Sequence, residues 1–295
     1  MHEYLTTKEL ANLLRIKERK VYDLAASGEV PCSKAMGKLL FPRAAVEAWL
    51  AAERSGPDPQ APGIEQTAAS VPNVFLGSHD PLLDWALRES RCGIATYFDG
   101  SADGLERFAK GEGIATGLHL FSGRRGDWNI AQVKSKCAAK PAALVEWARR
   151  QRGLVIAPGV KGAVQSLDDL AGKRVVRRQK GAGAEHLFQH LLAKAGIDVI
   201  DGAVEVRSEA DAALAVFEGK ADAAFGLQAL AEQYKLAFVP LIEERFDILV
   251  LRRAWFSAPM QTFLTFCKSD GFKARAGEFT GYDVSGFGTV HFNGA

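Results

Sequence analysis

Three short glycine-containing segments carry the residues best suited to bind an anion. Gly77-Ser78 and Gly100-Ser101 each follow a short apolar run and precede a predicted helix, and Gly181-Ala182-Gly183 precedes a third helix. The start of a helix concentrates unpaired backbone N–H groups and a partial positive charge, which suits an oxyanion. Hydroxyl and amide donors can hold a tetrahedral dianion without a fixed cation. The predicted ligand-binding residues are Ser78, His79, Asp80, Gly100, Ser101, Gly181, Ala182 and Gly183.

Patterns typical of catalysis or metal binding do not occur in the sequence. His186 and His190 are four residues apart on a predicted helix, a spacing that can share a metal, but no HExxH pattern or cysteine cluster accompanies them. Ser78, His79 and Asp80 are adjacent, and adjacency alone does not make a catalytic triad. Dinucleotide, P-loop and nucleophile-elbow motifs do not occur. We therefore expect a binding protein and not an enzyme, without a resident metal or cofactor.

A second chemistry is indicated near the amino terminus, where cations fall on one helix face. A helix over 17–27 would bury Val21, Leu24 and Ala25, which leaves Arg19 nearly opposite that stripe, between Lys20 and Tyr22. The pattern predicts a preceding helix capped by Thr7, a following two-stranded wing with Gly37 at its tip, and a closing helix over 43–53. A tight turn, an exposed basic second helix and a wing are typical of a domain that reads DNA.

This amino-terminal pattern resembles the excisionase-type branch of the MerR-like winged helix-turn-helix family. The similarity covers residues 3–53 and includes the VY step, the SGEVP turn and the closing FPRAAVEAWL helix, in that order. The resemblance implies that the second helix enters the major groove of double-stranded DNA and that the wing touches the backbone. Relatives often have a serine that caps the second helix where this chain has a lysine, which cannot accept that hydrogen bond. The implied DNA contacts are Lys17, Arg19, Lys20 and Tyr22 from the helix and Lys34 and Lys38 from the wing.

Composition and length predict more than one domain. The chain has 295 residues, 47% of them apolar and 24% charged, with a net charge of only +2. This balance excludes a largely disordered chain and a histone-like coat on nucleic acid. The proline-rich stretch 55–72 predicts a linker between a DNA-binding domain over 1–54 and a body over 73–295. The four scattered cysteines predict free buried thiols, and the lack of a signal peptide or long apolar run predicts a cytosolic, non-membrane protein.

The body alternates short apolar runs with helical patterns, which predicts an α/β fold with parallel strands. Strands are predicted near 74–76, 94–97, 115–120, 153–159, 173–178 and 221–226. Helices are predicted near 83–87, 102–110, 140–150 and 184–194. Ligand loops of such folds lie at the ends of the strands, which is where the three glycine-containing segments fall.

The ordered segments of the body resemble a type 2 periplasmic binding protein, specifically the PBP-like domain related to molybdate-binding proteins. They are GSHDPLLDWAL, FDGSADGLERFAKGE, GLVIAPG, VVRRQKGAGAEHLFQHLLAKAGI, GKADAAFGLQALAEQYKLAFVPLIEERFDILV and GYDVSGFGTV. The resemblance implies two lobes, the first over about 73–158 and 246–295 and the second over about 159–245, with crossovers near 157–161 and 242–247. Relatives usually have RGSGT where this chain has Lys180 to Ala184, and THLLD where it has Gly117 to Ser122. The ligand could therefore be molybdate or tungstate, another oxyanion, or a pterin-like or organic molecule.

These features together predict a cytosolic transcriptional regulator. Its amino-terminal domain would bind DNA and its two-lobed body would sense a small effector, with an oxyanion as the first candidate. Because residues 1–54 hold nine Lys or Arg against seven Asp or Glu, one such domain binds DNA weakly, and a homodimer is predicted to supply a second half-site. The alternative is a ligand-binding protein linked to molybdenum cofactor biosynthesis, whose small domain docks protein and not DNA.

Overall fold

A computed structural model describes residues 4–35, 37–52, 71–123, 128–199 and 204–295. The chain divides into two compact units, Met1–Ala69 and Ser70–Ala295, each of which is described by itself. Nearly all of the predicted linker, 55–72, lies outside the described residues, so its boundaries stay a prediction. No helix in the described ranges is long and apolar enough to cross a membrane.

The smaller unit has the predicted order of helix, helix, wing and helix. Helices α1 (Thr7–Leu14) and α2 (Glu18–Ala26) precede strands β2 (Ser33–Ala35) and β3 (Lys38–Pro42), and α3 (Arg43–Ala52) closes the unit. Strand β1 (Tyr4–Leu5) adds to β3, giving the antiparallel order β1-β3-β2. Leu10, Val21, Phe41 and Val46 form a fully buried core. The predicted winged helix-turn-helix is confirmed.

The two helix starts in this unit differ in their capping. Thr6, and not Thr7 as predicted, caps α1, because its hydroxyl accepts from the backbone of Glu9 while the Glu9 carboxylate accepts from the backbone of Thr6. Lys17 precedes α2 in an extended conformation and makes no side-chain capping bond. The lysine in place of the usual serine therefore leaves the second helix uncapped by a side chain, as the sequence predicts.

The larger unit is built on one mixed sheet. Its strands are β4 (Val74–Gly77), β5 (Ala95–Phe98), β6 (Ala115–Leu118), β7 (Ala142–Ile156), β10 (Ala223–Leu227) and β11 (Ala237–Leu251), with β12 (Tyr282–Asp283) and β13 (Val290–Asn293) paired to β7. The strand order is β10-β7-β11-β6-β4-β5, and β8 (Arg177–Arg178) and β9 (Glu205–Val206) form a separate pair. Its helices are α4 (Pro81–Glu89), α5 (Ser101–Lys110), α6 (Ile130–Cys137), α7 (Gly183–Ala195), α8 (Glu209–Phe217), α9 (Gln228–Gln233), α10 (Arg252–Trp255), α11 (Ala258–Phe266) and α12 (Asp270–Gly277).

Three sequence predictions for this unit need correction. The predicted helix near 140–150 is wrong, because that segment lies inside strand β7 and the helix of this region is α6. In the main sheet only β6, β4 and β5 run parallel, whereas β7, β10 and β11 pair antiparallel, and the separate pair β8 and β9 is parallel. The strand predicted over 173–178 shortens to β8.

The prediction of free buried cysteines is right for Cys92, Cys137 and Cys267, which are buried and free. It is wrong for Cys32 of the smaller unit, which is free but exposed.

Strands β7 and β11 connect the two lobes of this unit. They pair along 14 matched positions from Ala237↔Ile156 to Leu251↔Ala142. One large core lies around Trp147, Phe75 and Phe263, and two smaller cores around Val216 and Phe188 occupy the other lobe. A register irregularity between Phe246 and Asp247 lies within the predicted second crossover, 242–247. The candidate functional site lies where these strands pass from one lobe to the other.

Candidate functional site

The predicted DNA-contacting residues all lie on the exposed surface of the small unit. Lys17, Arg19, Lys20, Tyr22, Lys34 and Lys38 are each exposed. Tyr22, Lys34 and Lys38 line one groove between α2 and the wing, so the helix and the wing contribute to one surface. Within the described residues, none of these five cations forms an ion pair. The surface therefore offers free cations and an aromatic ring to a polyanion.

The predicted ligand-binding loops of the large unit come together. Asp80 caps α4, Gly100 precedes α5 and Ala182 precedes α7, so three helix starts converge. Gly100 has a left-handed φ of 112°, and a Cβ atom there would lie 3.0 Å from the Gly181 carbonyl oxygen. The loop before α5 and the loop before α7 therefore touch, and both Ser78 and Ser101 are buried beside them.

The side chain of His119 fills the point of convergence. Its Nε2 lies 2.8 Å from the Ser78 hydroxyl, and its Nδ1 lies 3.1 Å from Oε2 of Glu244. Its backbone N–H donates to the Ser101 hydroxyl over 3.1 Å. A Cβ atom on Gly183 would lie 2.9 Å from the His119 carbonyl oxygen and 3.0 Å from its Cε1, so the first turn of α7 packs directly on this residue. Both serine hydroxyls predicted to bind an anion thus bond to His119.

A chain of buried ion pairs continues from His119 through both lobes. Arg150 Nη1 donates to Asp80 over 2.7 Å, and Arg150 Nη2 bonds to Glu244. Arg152 Nη2 bonds to Glu244 at 2.8 Å and to Glu209 at 3.0 Å. Arg178 Nη1 lies 3.0 Å from Glu209, which starts helix α8. We call Asp80, Arg150, Arg152, Arg178, Glu209 and Glu244 the buried charge cluster.

The charges in this cluster balance, with three guanidinium groups against three carboxylates. Burial opposes ionisation of Glu209, but Arg152 and Arg178 outweigh it and lower the pKa of that carboxyl to about 2. Burial likewise opposes ionisation of Glu244, yet Arg150 and Arg152 hold its pKa well below the ordinary value. Burial lowers the pKa of His119 in spite of Glu244 nearby, so the imidazole is neutral at pH 7. The buried charge cluster and His119 therefore carry no net charge together. We call the place where His119 meets Ser78, Ser101 and Gly183 the convergence point.

Asp80 and His79, both predicted to bind ligand, have different surroundings. The Asp80 carboxylate is fully buried and accepts hydrogen bonds from Leu83 N–H, Trp147 Nε1, Arg150 and the Tyr282 hydroxyl. Four protein donors therefore occupy the acceptor positions of this carboxylate. His79 is partly exposed, with Nε2 3.8 Å from Asp84. Asp80 therefore positions α4 against β7. Of Asp80 and His79, only His79 faces solvent.

Sequence reasoning missed the residues at the centre of this site. His119, Arg150, Arg152 and Glu244 are each nearly or fully buried. The segment Gly117 to Ser122 carried one signal, since it departs from the family pattern and places a histidine at the end of strand β6. Arg150 is missed because the segment 140–150 is predicted to be a helix, and Arg152 because it lies between that helix and the strand predicted over 153–159.

Comparison with known proteins agrees with these two parts. Residues 85–268 match the family model described as PBP superfamily domain, and residues 4–54 match the model described as helix-turn-helix domain. The chain is 28% identical over 306 residues to the uncharacterized protein YvgK of Bacillus subtilis (strain 168), covering 97% of this chain and 96% of that protein. A putative phosphate ABC transporter substrate-binding protein from Clostridium perfringens, solved with bound phosphate, shares 13% identity over 70% of this chain and 97% of its own, with a TM-score of 0.51.

The likeness to the solved structure shows the fold alone, in agreement with the two lobes joined by strands β7 and β11. The family match covers more than half of the chain and includes most of the site described above. The chain belongs to the PBP superfamily, and a helix-turn-helix domain precedes its PBP-like body.

Proposed function

We propose that this protein is a cytoplasmic transcriptional regulator that binds DNA through its small unit and senses a small effector through its large unit. The observation that carries the proposal is the presence, in one chain, of exposed cations on a winged helix-turn-helix and a two-lobed PBP-like body. Binding proteins of this kind change the relation of their lobes when a ligand binds. The role of the body is then ligand binding and not catalysis.

A homodimer is part of this proposal. The small unit carries only a small excess of positive charge, and a single module with few phosphate contacts binds DNA weakly at physiological salt. Two copies would read two half-sites, and an effector that changes the body would change the spacing of the two DNA-binding units.

The first candidate effector is an oxyanion such as molybdate or tungstate. The starts of α5 and α7 converge beside Ser78, and the N–H groups at these two helix starts, which no side chain caps, favour an anion. The start of α4 is already capped by the Asp80 carboxylate. The imidazole of His119 bonds to the Ser78 hydroxyl, its backbone N–H donates to the Ser101 hydroxyl, and the buried charges balance. On this proposal a dianion reaches the Ser78 hydroxyl only after the imidazole has moved away.

A gel-shift titration on the DNA upstream of the gene, with and without molybdate, tests the proposal. Arg19→Ala combined with Lys20→Ala should weaken specific binding by about 1–3 kcal/mol for each side chain that no longer reaches a base edge. The matched control is Lys134→Ala with Lys194→Ala, which removes two exposed lysines from the body. Equal affinity of both double variants would favour the alternative, in which the small unit docks protein in a pathway of molybdenum cofactor supply.

A further inference from the structure

A chamber beside the convergence point opens between the two lobes. It has a volume of about 440 Å³, within the range of small-molecule pockets. One side is formed by α5, α6 and the segment after β6, and the other side by His186 and His190 of helix α7. The side chains of the two lobes therefore leave a space at this chamber. The convergence point, in contrast, is filled by the side chain of His119.

The floor and one wall of the chamber are apolar and aromatic. Leu105 and Leu120 are buried and line its floor. The centroid of the Phe121 ring lies 5.2 Å from the centroid of the His190 ring and 5.3 Å from that of the Trp128 ring. Aromatic side chains in this tilted arrangement favour a further ring at their edge or face. The surface thus suits a flat ring more than a compact inorganic ion.

The polar groups of the chamber are hydrogen-bond donors or neutral amides. Lys136, His186 and His190 line it, together with Gln132, whose buried Oε1 has no hydrogen-bond partner among the described residues. No Asp or Glu lines it within the described part of the chain. The ammonium of Lys136 bonds to Glu106 on α5, which is outside the lining, so a ligand carboxylate would share this cation with Glu106. A ligand acceptor, preferably an anionic one, matches the donors of Lys136, His186 and His190, whereas Oε1 of Gln132 would accept a hydrogen bond from a ligand N–H or O–H.

We propose that the chamber is the effector site and binds a flat aromatic ring that carries a carboxylate. The ring packs on Phe121, Leu105 and Leu120, and the carboxylate bonds to Lys136 and to an imidazole of α7. This inference rests on the proposed regulatory function, and it replaces the oxyanion with an organic anion. Because the first turn of α7 packs on His119, a ligand that holds α7 also holds the lobes together at the convergence point.

The test is calorimetric titration of the full chain with 2-naphthoate. We expect saturable binding to the parent. Lys136→Ala should weaken it at least tenfold, since the protein no longer offers a charged hydrogen-bond donor there. His190→Ala should weaken it about threefold to tenfold, since the ligand ring then packs on one aromatic neighbour fewer. Lys134→Ala removes an exposed lysine of the same helix outside the chamber and should leave affinity unchanged. Neutral 2-naphthylmethanol should bind the parent at least tenfold more weakly than 2-naphthoate.

Two results would overturn the chamber proposal. One is no heat of binding at millimolar 2-naphthoate with a parent chain that circular dichroism shows to be folded. The other is binding that is equally tight in the parent, Lys136→Ala and His190→Ala proteins. The gel-shift experiment without ligand tests DNA binding separately, so failure of the chamber proposal would leave the regulator standing. Stabilisation of the parent by molybdate but not by 2-naphthoate would return the effector to the convergence point.

Discussion

At the scale of single residues, His119 lies where the loops of Ser78, Ser101 and Gly183 meet. Its ring bonds to Ser78 on one side and Glu244 on the other, and α7 packs on it. His119→Gly should lower the free energy of unfolding by roughly 3–5 kcal/mol, as expected for a large buried side chain. The variant should have a hole with the shape of the missing ring, lined by polar groups without their former partners.

Addition of 4-methylimidazole should therefore raise the melting temperature of the His119→Gly protein and leave that of the parent unchanged, since the parent has its own ring in place. Thermal unfolding monitored by tryptophan fluorescence gives both values. A folded variant whose melting temperature does not change with 4-methylimidazole would contradict the presence of a hole that fits an imidazole ring.

Asp247 is expected to make the free energy of unfolding depend on pH. It accepts a hydrogen bond from Asn129 at 2.8 Å and from Arg245 at 3.0 Å, and so fixes the chain around α6 beside the chamber. Burial raises the pKa of Asp247 to about 6, in spite of Arg245. The folded state thus binds a proton that the unfolded chain, with a lower pKa, releases. This group adds stability as the pH falls through 6, and that contribution disappears as the pH rises again.

The comparison protein for this prediction is Asp247→Asn, which cannot titrate. Between pH 7 and pH 4.5, the free energy of unfolding of the parent minus that of the variant should rise by about 2 kcal/mol. Urea denaturation at a series of pH values measures the difference, and the contributions of all other carboxylates cancel in it. A flat difference would mean that Asp247 is ionised throughout this range.

Some residues of the candidate site could be predicted from the sequence and others could not. Ser78 and Ser101 were predictable because glycine-serine turns at strand ends are local patterns. His119 and Glu244 are 125 positions apart and meet only through the pairing of β6 with β11. No local pattern in the sequence reports such a meeting, and the bonding of both hydroxyls to His119 could not be predicted.

At the scale of elements, helix α2 offers a test of the uncapped start. Lys17→Ser should give the first turn of α2 a side-chain acceptor and stabilise the helix by about 1 kcal/mol. Hydrogen exchange of peptides covering 18–26, measured on the full chain by mass spectrometry, should slow in this variant. Lys17→Ala removes the same cation without adding a cap, and exchange should not slow in it. Equal exchange in the two variants would contradict the capping argument.

Strand β7 shows why one element was assigned wrongly. Its residues are rich in Ala, Arg and Leu, which favour helices in isolation. In the fold this segment has strand partners on both sides, with β11 on one edge and β10, β12 and β13 on the other. Burial of Arg150 and Arg152 against carboxylates from three other elements fixes it as a strand. The tertiary context overrides local preference, whereas the helices and strands before residue 120 follow their local patterns.

At the scale of the whole large unit, the buried charge cluster joins elements from both lobes through β7 and β11. Three carboxylates and three guanidinium groups leave no charge for an incoming dianion. Glu244→Gln should disturb this balance and lower the free energy of unfolding by about 3–5 kcal/mol, because Arg150 and Arg152 would no longer share a carboxylate. It should also create an excess positive charge where three helix starts meet.

Molybdate should then raise the melting temperature of the Glu244→Gln protein more than that of the parent, with sodium chloride at equal ionic strength as the reference for screening. Glu243→Gln is the matched control, because Glu243 lies on the same strand but is exposed and pairs with Arg149 at the surface. Equal stabilisation of all three proteins would show that the parent already offers a positive site to the oxyanion. In that case the balance of buried charge does not govern which effector the cleft accepts, and the oxyanion proposal would gain over the aromatic acid.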